Sequence, residues 1–216
     1  MTERITAEQF HAAAGVADWR VLFDGAGASF RTGSFAAGAA LVDAIGALDG
    51  IGNHYPEVDL RRDGVTVRIM TDEGGGLSER DVEMARQISA AARALDVPAD
   101  PAAVQTVQVT IDALVSPQVI PFWRAVLGYQ EWGDEDLLDP HRRGPSFWFQ
   151  QMDAPRTQRN RIHIDVSLPH DQAEARVAAA IAAGGHLVTG EHAPAWWTLA
   201  DAEGNEVDVA TMLGRG

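Results

Sequence analysis

Two prolines within six residues limit how this chain can fold. Residues 96–101 (DVPADP) contain Pro98 and Pro101 and directly follow a helical pattern. Proline cannot donate a backbone hydrogen bond and disfavours helical geometry in the residue before it, so the helix has to stop here. Segments of this kind commonly join domains. We therefore predict one domain over residues 1–97 and a second over residues 104–216.

The residues before this boundary predict an α+β domain. Plausible N-cap residues followed by apolar side chains at helical spacing indicate three helices. Two pairs of short segments indicate strands, and Asp63-Gly64 within the second pair is typical of a hairpin turn. The predicted elements are helices at 6–14, 34–48 and 78–95, with strands at 19–23, 28–32, 57–60 and 65–70. Their order is helix, two strands, helix, two strands, helix.

The residues after the boundary predict a repeated unit. A strand at 104–111 precedes a helix at 117–127, and a strand at 161–168 precedes a helix at 171–183. Three further strands are expected after each helix. Two copies of strand, helix and three strands indicate a structural repeat, although the copies share little sequence. The chain is therefore assigned to the α+β class, as an α-β-β-α-β-β-α domain followed by two β-α-β-β-β modules.

The strand that opens the second copy has one polar face. A period of two places Arg161, His163 and Asp165 on one side of it, and isoleucine and valine side chains on the other. An imidazole between arginine and aspartate can be part of a surface ladder, or it can belong to a chemical site. The second interpretation requires other strands to bring polar faces to the same place.

Composition excludes several classes of protein. A formal net charge of −14 argues against a nucleic-acid partner, because binding to phosphate backbones depends on clustered lysine and arginine. The chain has no cysteine, which excludes disulfides, thiolate nucleophiles and cysteine-ligated zinc. Neither a secretory signal nor a run of 18 apolar residues is present, so we expect no membrane partner and a cytoplasmic location.

Two motifs in the first half resemble the pterin-4a-carbinolamine dehydratases. They are residues 53–56 (NHYP) and 71–81 (TDEGGGLSERD), and the resemblance extends over about residues 5–95. It implies a catalytic role for His54, but Tyr55 and Asp72 stand where the family has its other two histidines. Dehydration needs one group that protonates the leaving water and another that accepts a ring proton near neutral pH. The domain is therefore interpreted as a degenerate dehydratase, with an active enzyme that uses His54 as the alternative.

The second half resembles the glyoxalase and bleomycin-resistance group, the vicinal oxygen chelate superfamily. The resemblance rests on residues 121–129 (PFWRAVLGY), residues 201–208 (DAEGNEVD) and the strand that carries His163. It implies a half-open barrel in which four strands each supply one metal ligand. The four corresponding positions are Gln108, Gln150, His163 and Asp208. Amides are weak ligands for zinc, so a divalent metal ion at these residues and a cleft without metal both stay open.

Two further residues are predicted to contact a ligand in this cleft. Trp148 offers an aromatic wall, and Arg161 belongs to a group of arginines that could receive a carboxylate or phosphate. The alternatives are that the tryptophans of this half are core residues, favoured for Trp197, and that the arginines balance neighbouring acids.

Three functions are compatible with these patterns. The first is a lyase- or isomerase-like enzyme that acts on a small polar metabolite, with His163 as base or ligand and Asp208 as its charged partner. The second is a binding protein that sequesters a small molecule without turnover. The third is an active pterin dehydratase that uses His54. We expect a small-molecule ligand and a homodimer in each case.

Overall fold

The computed structural model describes residues 4–22, 24–48, 54–70, 76–155 and 162–214. The chain forms two compact units, one of residues 1–106 and one of residues 107–216. The predicted α+β class is confirmed, and the first unit has two short strands, Arg4–Ile5 and Leu77–Ser78, in addition to the predicted helices and strands. The domain boundaries at 97 and 104 stay a prediction that requires separately expressed fragments.

The first unit contains a four-stranded antiparallel sheet and three helices. The elements are β1 (Arg4–Ile5), α1 (Ala7–Ala12), β2 (Arg20–Leu22), β3 (Gly25–Arg31), α2 (Phe35–Gly46), β4 (Glu57–Leu60), β5 (Gly64–Ile69), β6 (Leu77–Ser78) and α3 (Glu79–Ala94). The sheet has the order β2-β3-β5-β4, and the two short strands β1 and β6 pair with each other.

Capping residues fix where the helices of this unit begin. The Thr6 hydroxyl accepts a hydrogen bond from the Gln9 backbone N–H at 3.2 Å, and the Gln9 side chain accepts one from the Thr6 N–H at 2.7 Å. This reciprocal capping box satisfies two donors that a helix start otherwise leaves unpaired. The predicted helix starts therefore agree with the structure.

Trp19 is fully buried in this unit. Its indole N–H donates to the Ala85 carbonyl and to the Ser89 hydroxyl of α3, at 3.1 Å each.

The proline-containing segment packs onto the first unit. The Arg31 N–H donates to the Pro98 carbonyl at 2.9 Å, and the Asp100 N–H donates to the Ser29 carbonyl at 2.7 Å. A short 3-10 helix, Pro101–Ala103, follows. These hydrogen bonds attach the segment to the end of β3, so the first unit continues beyond the helix that the prolines terminate.

The second unit contains the predicted repeat. The elements are β7 (Gln108–Ala113), α4 (Ser116–Leu127), β8 (Gln130–Trp132), β9 (Asp136–Leu138), β10 (Ser146–Gln151), β11 (Ile164–Ser167), α5 (Ala173–Ala182), β12 (His186–Thr189), β13 (Trp196–Ala200) and β14 (Glu206–Ala210). Each copy forms its own four-stranded sheet, with the orders β7-β10-β9-β8 and β11-β14-β13-β12. In each sheet the first and last strands of the copy pair in parallel, and the other pairs are antiparallel.

One hydrophobic core joins the two copies of the repeat. Phe122 and Trp123 of α4 and Phe147 of β10 are almost completely buried, together with Leu199 and Val207 of the second copy. Trp197 packs against this cluster, as predicted for a core residue. Because the apolar side of each sheet is used by the core, the other side is left for polar residues.

Candidate functional site

His163, Asp165 and Asp208 form a cluster in the second unit. The Nε2 atom of His163 lies 3.4 Å from Oδ1 of Asp165 and 3.7 Å from Oδ2 of Asp208. The three side chains offer ligand atoms that all lie within 4.8 Å of one another. The side chains of His163 and Asp165 are about half exposed, at 55% and 54%, whereas that of Asp208 is 16% exposed. The cluster is therefore open to solvent on one side and fixed on the other.

Strand pairing explains why these residues meet. β11 and β14 are parallel neighbours, and their register places Asp165 directly opposite Asp208. β13 is the next strand, and its Thr198 lies opposite Asp208. The Thr198 hydroxyl donates to Oδ1 of Asp208 at 2.6 Å, which leaves Oδ2 on the side of His163. His163 precedes β11 by one residue, so the strand begins later than the predicted start at Arg161.

The cluster fits a divalent cation. Metal–ligand bonds of about 2.1 Å place neighbouring ligand atoms about 3.0 to 3.4 Å apart, close to the two distances measured from His163. Imidazole and carboxylate together suit ions such as Mn²⁺, Fe²⁺ or Zn²⁺. The hydrogen bond from Thr198 to Asp208 is the kind of supporting contact that orients a metal ligand. The three side chains could therefore hold one ion.

A cavity of about 650 Å³ adjoins His163. This volume lies within the range of small-molecule sites. Apolar side chains of β7 and β11 and the indole of Trp123 form part of its wall. Its carboxylate-bearing residues are Asp112, Glu203 and Glu206. The cavity therefore combines an apolar wall with acidic groups, and His163 is a member of both the wall and the cluster.

The turn between β13 and β14 forms one side of this cavity. The Glu203 carboxylate accepts hydrogen bonds from the backbone N–H groups of Leu114 and Val115, at 2.7 and 2.8 Å, just before α4 begins. Asp201 is fully buried and accepts a hydrogen bond from the Trp123 indole at 2.9 Å. These bonds hold a loop of the second copy against the helix start of the first, and sequence analysis missed Glu203 because its partners lie almost 90 positions away.

The two predicted glutamine positions do not meet each other. In the parallel pair of β7 and β10, Gln108 lies opposite Ser146 and Gln150 lies opposite Asp112. The offset of four residues corresponds to about 13 Å along the strands, which is too far for both amides to hold one ion. The Gln108 amide instead donates to Oδ1 of Asp136 at 3.2 Å. Gln150 is exposed.

The remaining predicted ligand residues have separate positions. Trp148 is half-buried on β10, and its indole N–H donates to Oε2 of Glu135 at 3.3 Å. Arg161 lies outside the described residues. Asp165 and Thr198 complete the cluster but were not among the predicted site residues. Alternation placed Asp165 on the same face as His163, but only the strand register shows that Asp165 and Thr198 both lie opposite Asp208.

His54 in the first unit lies against the start of α3. Its Nε2 atom is 2.8 Å from Oδ1 of Asp81, whose side chain is fully buried, and the His54 side chain is 10% exposed. Tyr55 is 71% exposed, and Asp72 lies outside the described residues. The imidazole nitrogen that meets Asp81 is therefore engaged by the protein itself.

None of the helices within the described residues is long and apolar enough to cross a membrane.

The two units match two different families. Residues 3–91 match the family model for pterin 4 alpha carbinolamine dehydratase, and residues 108–210 match that for a glyoxalase-like domain. A putative pterin-4-alpha-carbinolamine dehydratase of Nocardia farcinica is 36% identical over 93 residues, which cover 43% of this chain and 98% of that protein.

Solved structures similar to this chain include two glyoxalase relatives. A glyoxalase/bleomycin resistance protein/dioxygenase family enzyme from Burkholderia phytofirmans has 19% identity and a TM-score of 0.42, and covers 51% of this chain and 100% of its own. A glyoxalase/bleomycin resistance protein from Albidiferax ferrireducens has 21% identity and a TM-score of 0.39, and covers 49% of this chain and 96% of its own. From the family models and the Nocardia relative, the chain belongs to the pterin-4a-carbinolamine dehydratase family through its first unit and carries a glyoxalase-like domain in its second.

Proposed function

We propose that the glyoxalase-like domain binds a divalent cation and carries out a lyase- or isomerase-like reaction on a small polar metabolite. The observation that supports this proposal is the double position of His163. It lines the cavity of about 650 Å³, and it also lies within 3.7 Å of the carboxylates of Asp165 and Asp208. A ligand in the cavity would therefore contact the same imidazole that belongs to the candidate metal cluster.

The residues at the cluster have two roles in this proposal, metal binding and the orientation of a metal ligand. His163, Asp165 and Asp208 would hold the ion, and Thr198 keeps Asp208 oriented through its hydroxyl. When bound, a divalent ion would supply Lewis-acid chemistry by polarising a carbonyl or hydroxyl oxygen of the substrate. The side chains of His163 and Asp165 are about half exposed, so a substrate could reach the ion from their side.

The lining of the cavity supports a substrate that has both apolar and polar parts. Val109, Ile111 and Ile164 provide apolar contacts, whereas Asp112 and Glu206 place carboxylates at the same cavity. Carboxylates repel an anionic group and accept hydrogen bonds from hydroxyl or amino groups. The favoured substrate is therefore uncharged or cationic and carries several hydrogen-bond donors.

Calorimetric titration of the metal-free, full-length protein with Mn²⁺ and Zn²⁺ tests the metal site. We expect one site per chain, and a loss of affinity of about ten-fold or more in His163→Ala and in Asp208→Asn, the range seen when a ligand or its support is removed. His141→Ala is the matched control, since His141 is exposed in a loop of the same unit and is not part of the cluster. Wild-type affinity in His163→Ala would remove the basis of the proposal.

Turnover has to be separated from simple binding. Native mass spectrometry can identify a small molecule that purifies with the protein, and the same molecule can then be incubated with metal-loaded protein. Conversion that stops in His163→Ala supports an enzyme. Recovery of the unchanged molecule supports the second candidate function, a protein that sequesters its ligand. The apolar residues that line part of the cavity also suit such binding.

For the first unit we propose a dehydratase scaffold that has lost most of its activity. The position of His54 supports this, because its Nε2 atom is engaged by the buried carboxylate of Asp81. Tyr55 and Asp72 replace histidines of the family motif, and tyrosine and aspartate ordinarily titrate far from neutral pH. Active dehydration with His54 stays the alternative.

A further inference from the structure

Three residues form a row across the polar face of the first sheet in the glyoxalase-like domain. Asp136 of β9 lies directly opposite Trp132 of β8 on one side and opposite Trp148 of β10 on the other. Residues in direct register point to the same face of a sheet, so the carboxylate lies between the two indoles. All three side chains are half-buried. Their neighbours Leu137 and Phe147 point to the core and are fully or almost fully buried.

The spacing of this row suits a flat or compact group. Adjacent strands are about 4.8 Å apart, so the two tryptophans are separated by about 10 Å across Asp136. An aromatic ring needs about 3.5 Å on each side for van der Waals contact, which leaves room for a single small group above the carboxylate. The row therefore places Asp136 between two tryptophans on one face of the sheet, with space for one small group.

The protein already places a cation over one of these tryptophans, Trp132. The guanidinium carbon of Arg142 lies 5.2 Å from the ring centroid of Trp132. Arg142 has a positive φ of 51° and belongs to a loop in which the Asp139 carboxylate accepts the backbone N–H groups of His141, Arg143 and Gly144 at 2.8 to 2.9 Å. This internal contact shows that the Trp132 ring can receive a guanidinium in this setting.

Charge also favours a cation between the tryptophans. The Gln108 amide donates to Oδ1 of Asp136 at 3.2 Å, which directs the carboxylate, and Glu135 lies beside it and accepts from the Trp148 indole. Burial, and then the neighbouring charge of Glu135, raise the pKa of Asp136 above its ordinary value of 3.8. Both causes make the ionised form of Asp136 less favourable. A cationic ligand beside the carboxylate would stabilise that form.

We propose that Trp132, Asp136 and Trp148 form a binding site for an organic cation, such as the guanidinium or alkylammonium group of a small molecule. Cations bind over the faces of aromatic rings, and tryptophan is the most favourable of these rings. A carboxylate between two such faces adds a charge-assisted contact. The ligand group competes with Arg142 for Trp132. This site is independent of the metal cluster, because it uses a different sheet and no metal ligand.

Choline and its uncharged isostere 3,3-dimethyl-1-butanol are the probes for this site. Calorimetric titration of the full-length protein in the presence of a chelator keeps the metal cluster out of the measurement. We expect choline to bind at least about ten-fold more tightly than the alcohol, since the two differ only in charge at almost equal shape. Equal affinity for choline and the alcohol would show that no cation is recognised.

Variants locate the binding to the row. Asp136→Asn and Trp148→Leu should each weaken choline binding by about five-fold or more, and Arg142→Gln should strengthen it because the internal competitor is removed. Asp134→Asn is the matched control, since it makes the same change in charge at an exposed turn residue two positions away. The proposal fails if Asp134→Asn and Asp136→Asn lose affinity equally, or if Arg142→Gln binds choline less tightly than the wild type.

Discussion

The Nε2 atom of His54 lies 2.8 Å from Oδ1 of Asp81, a carboxylate with no solvent exposure. The other carboxylate oxygen of Asp81 accepts hydrogen bonds from the backbone N–H and the hydroxyl of Ser78, both at 2.7 Å. One carboxylate therefore fixes the start of α3 and also holds the segment that leads into β4. His54 acts in the described structure as a structural partner of a helix cap.

Removal of this imidazole should weaken the first unit. His54→Ala removes one hydrogen bond to a buried carboxylate, which typically costs about 1 to 3 kcal/mol. Amide hydrogen exchange of α3, together with urea unfolding, measures the loss. Tyr55→Ala is the control, because its 71% exposed side chain should change the free energy of unfolding by less than about 0.5 kcal/mol. If the two variants are equally stable, the contact with Asp81 has no structural importance.

Dehydratase activity should be weak or absent. Proton transfer in both directions needs two groups that titrate near neutral pH, and the motif positions supply one histidine together with Tyr55 and Asp72. The test is turnover of a 4a-hydroxytetrahydropterin by the full-length protein, beside an enzyme that has all three histidines. Comparable turnover that disappears in a folded His54→Ala variant would contradict the degenerate site.

Alternation predicted the faces of the strands better than their register. The family resemblance implied that Gln108 and Gln150 hold one ion together, but the register of β7 and β10 separates them by four residues. A shift by an even number keeps each side chain on its face, so the sequence pattern is the same for either register. The contact between Asp165 and Asp208 depends on the same missing information, and the parallel pairing of β11 and β14 supplies it.

Contacts between residues far apart in the chain could not be predicted from the sequence either. His54 was assigned a chemical role from its motif, whereas its partner Asp81 is 27 positions away. Helix starts were more accessible, since the capping box of Thr6 and Gln9 acts within four residues. Local hydrogen bonds can be predicted from spacing, but a buried partner is known only when the fold is known.

Loss of the Glu203 carboxylate should destabilise the second unit. Glu203→Ala leaves the backbone N–H groups of Leu114 and Val115 without their acceptor where α4 begins, so we expect a cost of about 1 to 3 kcal/mol. Urea unfolding and faster exchange of these two amides are the measurements. Glu191→Ala removes an exposed glutamate of the same unit and should have little effect. Equal stability of both variants would count against the importance of this loop contact.

Asp136 and Asp139 should respond to pH in opposite directions. Burial alone would raise the pKa of Asp139, but the backbone N–H groups of His141, Gly144 and Arg143 together lower it below its ordinary value of 3.8. A carboxyl group whose pKa is lowered by folding stabilises the protein above its unfolded pKa and loses this contribution as the pH falls through its folded pKa. For Asp136 the pKa is raised, so its ionised form is less favourable in the folded protein, and stability is lost as the pH rises above about 3.8.

Asparagine at each position makes this difference measurable with the same change in charge. At pH 7, Asp139→Asn should be less stable than the wild type by about 1 kcal/mol, because both ionised carboxylate oxygens accept backbone hydrogen bonds and an amide offers only one acceptor oxygen. Asp136→Asn should be as stable as the wild type or more stable, because the amide can still accept from Gln108 and carries no charge to bury. Urea unfolding at pH 7, 5 and 3.5 should show both differences shrinking as the pH approaches 3.5. A constant difference for Asp139→Asn across this range would mean that its loop depends on shape and not on the ionised carboxylate.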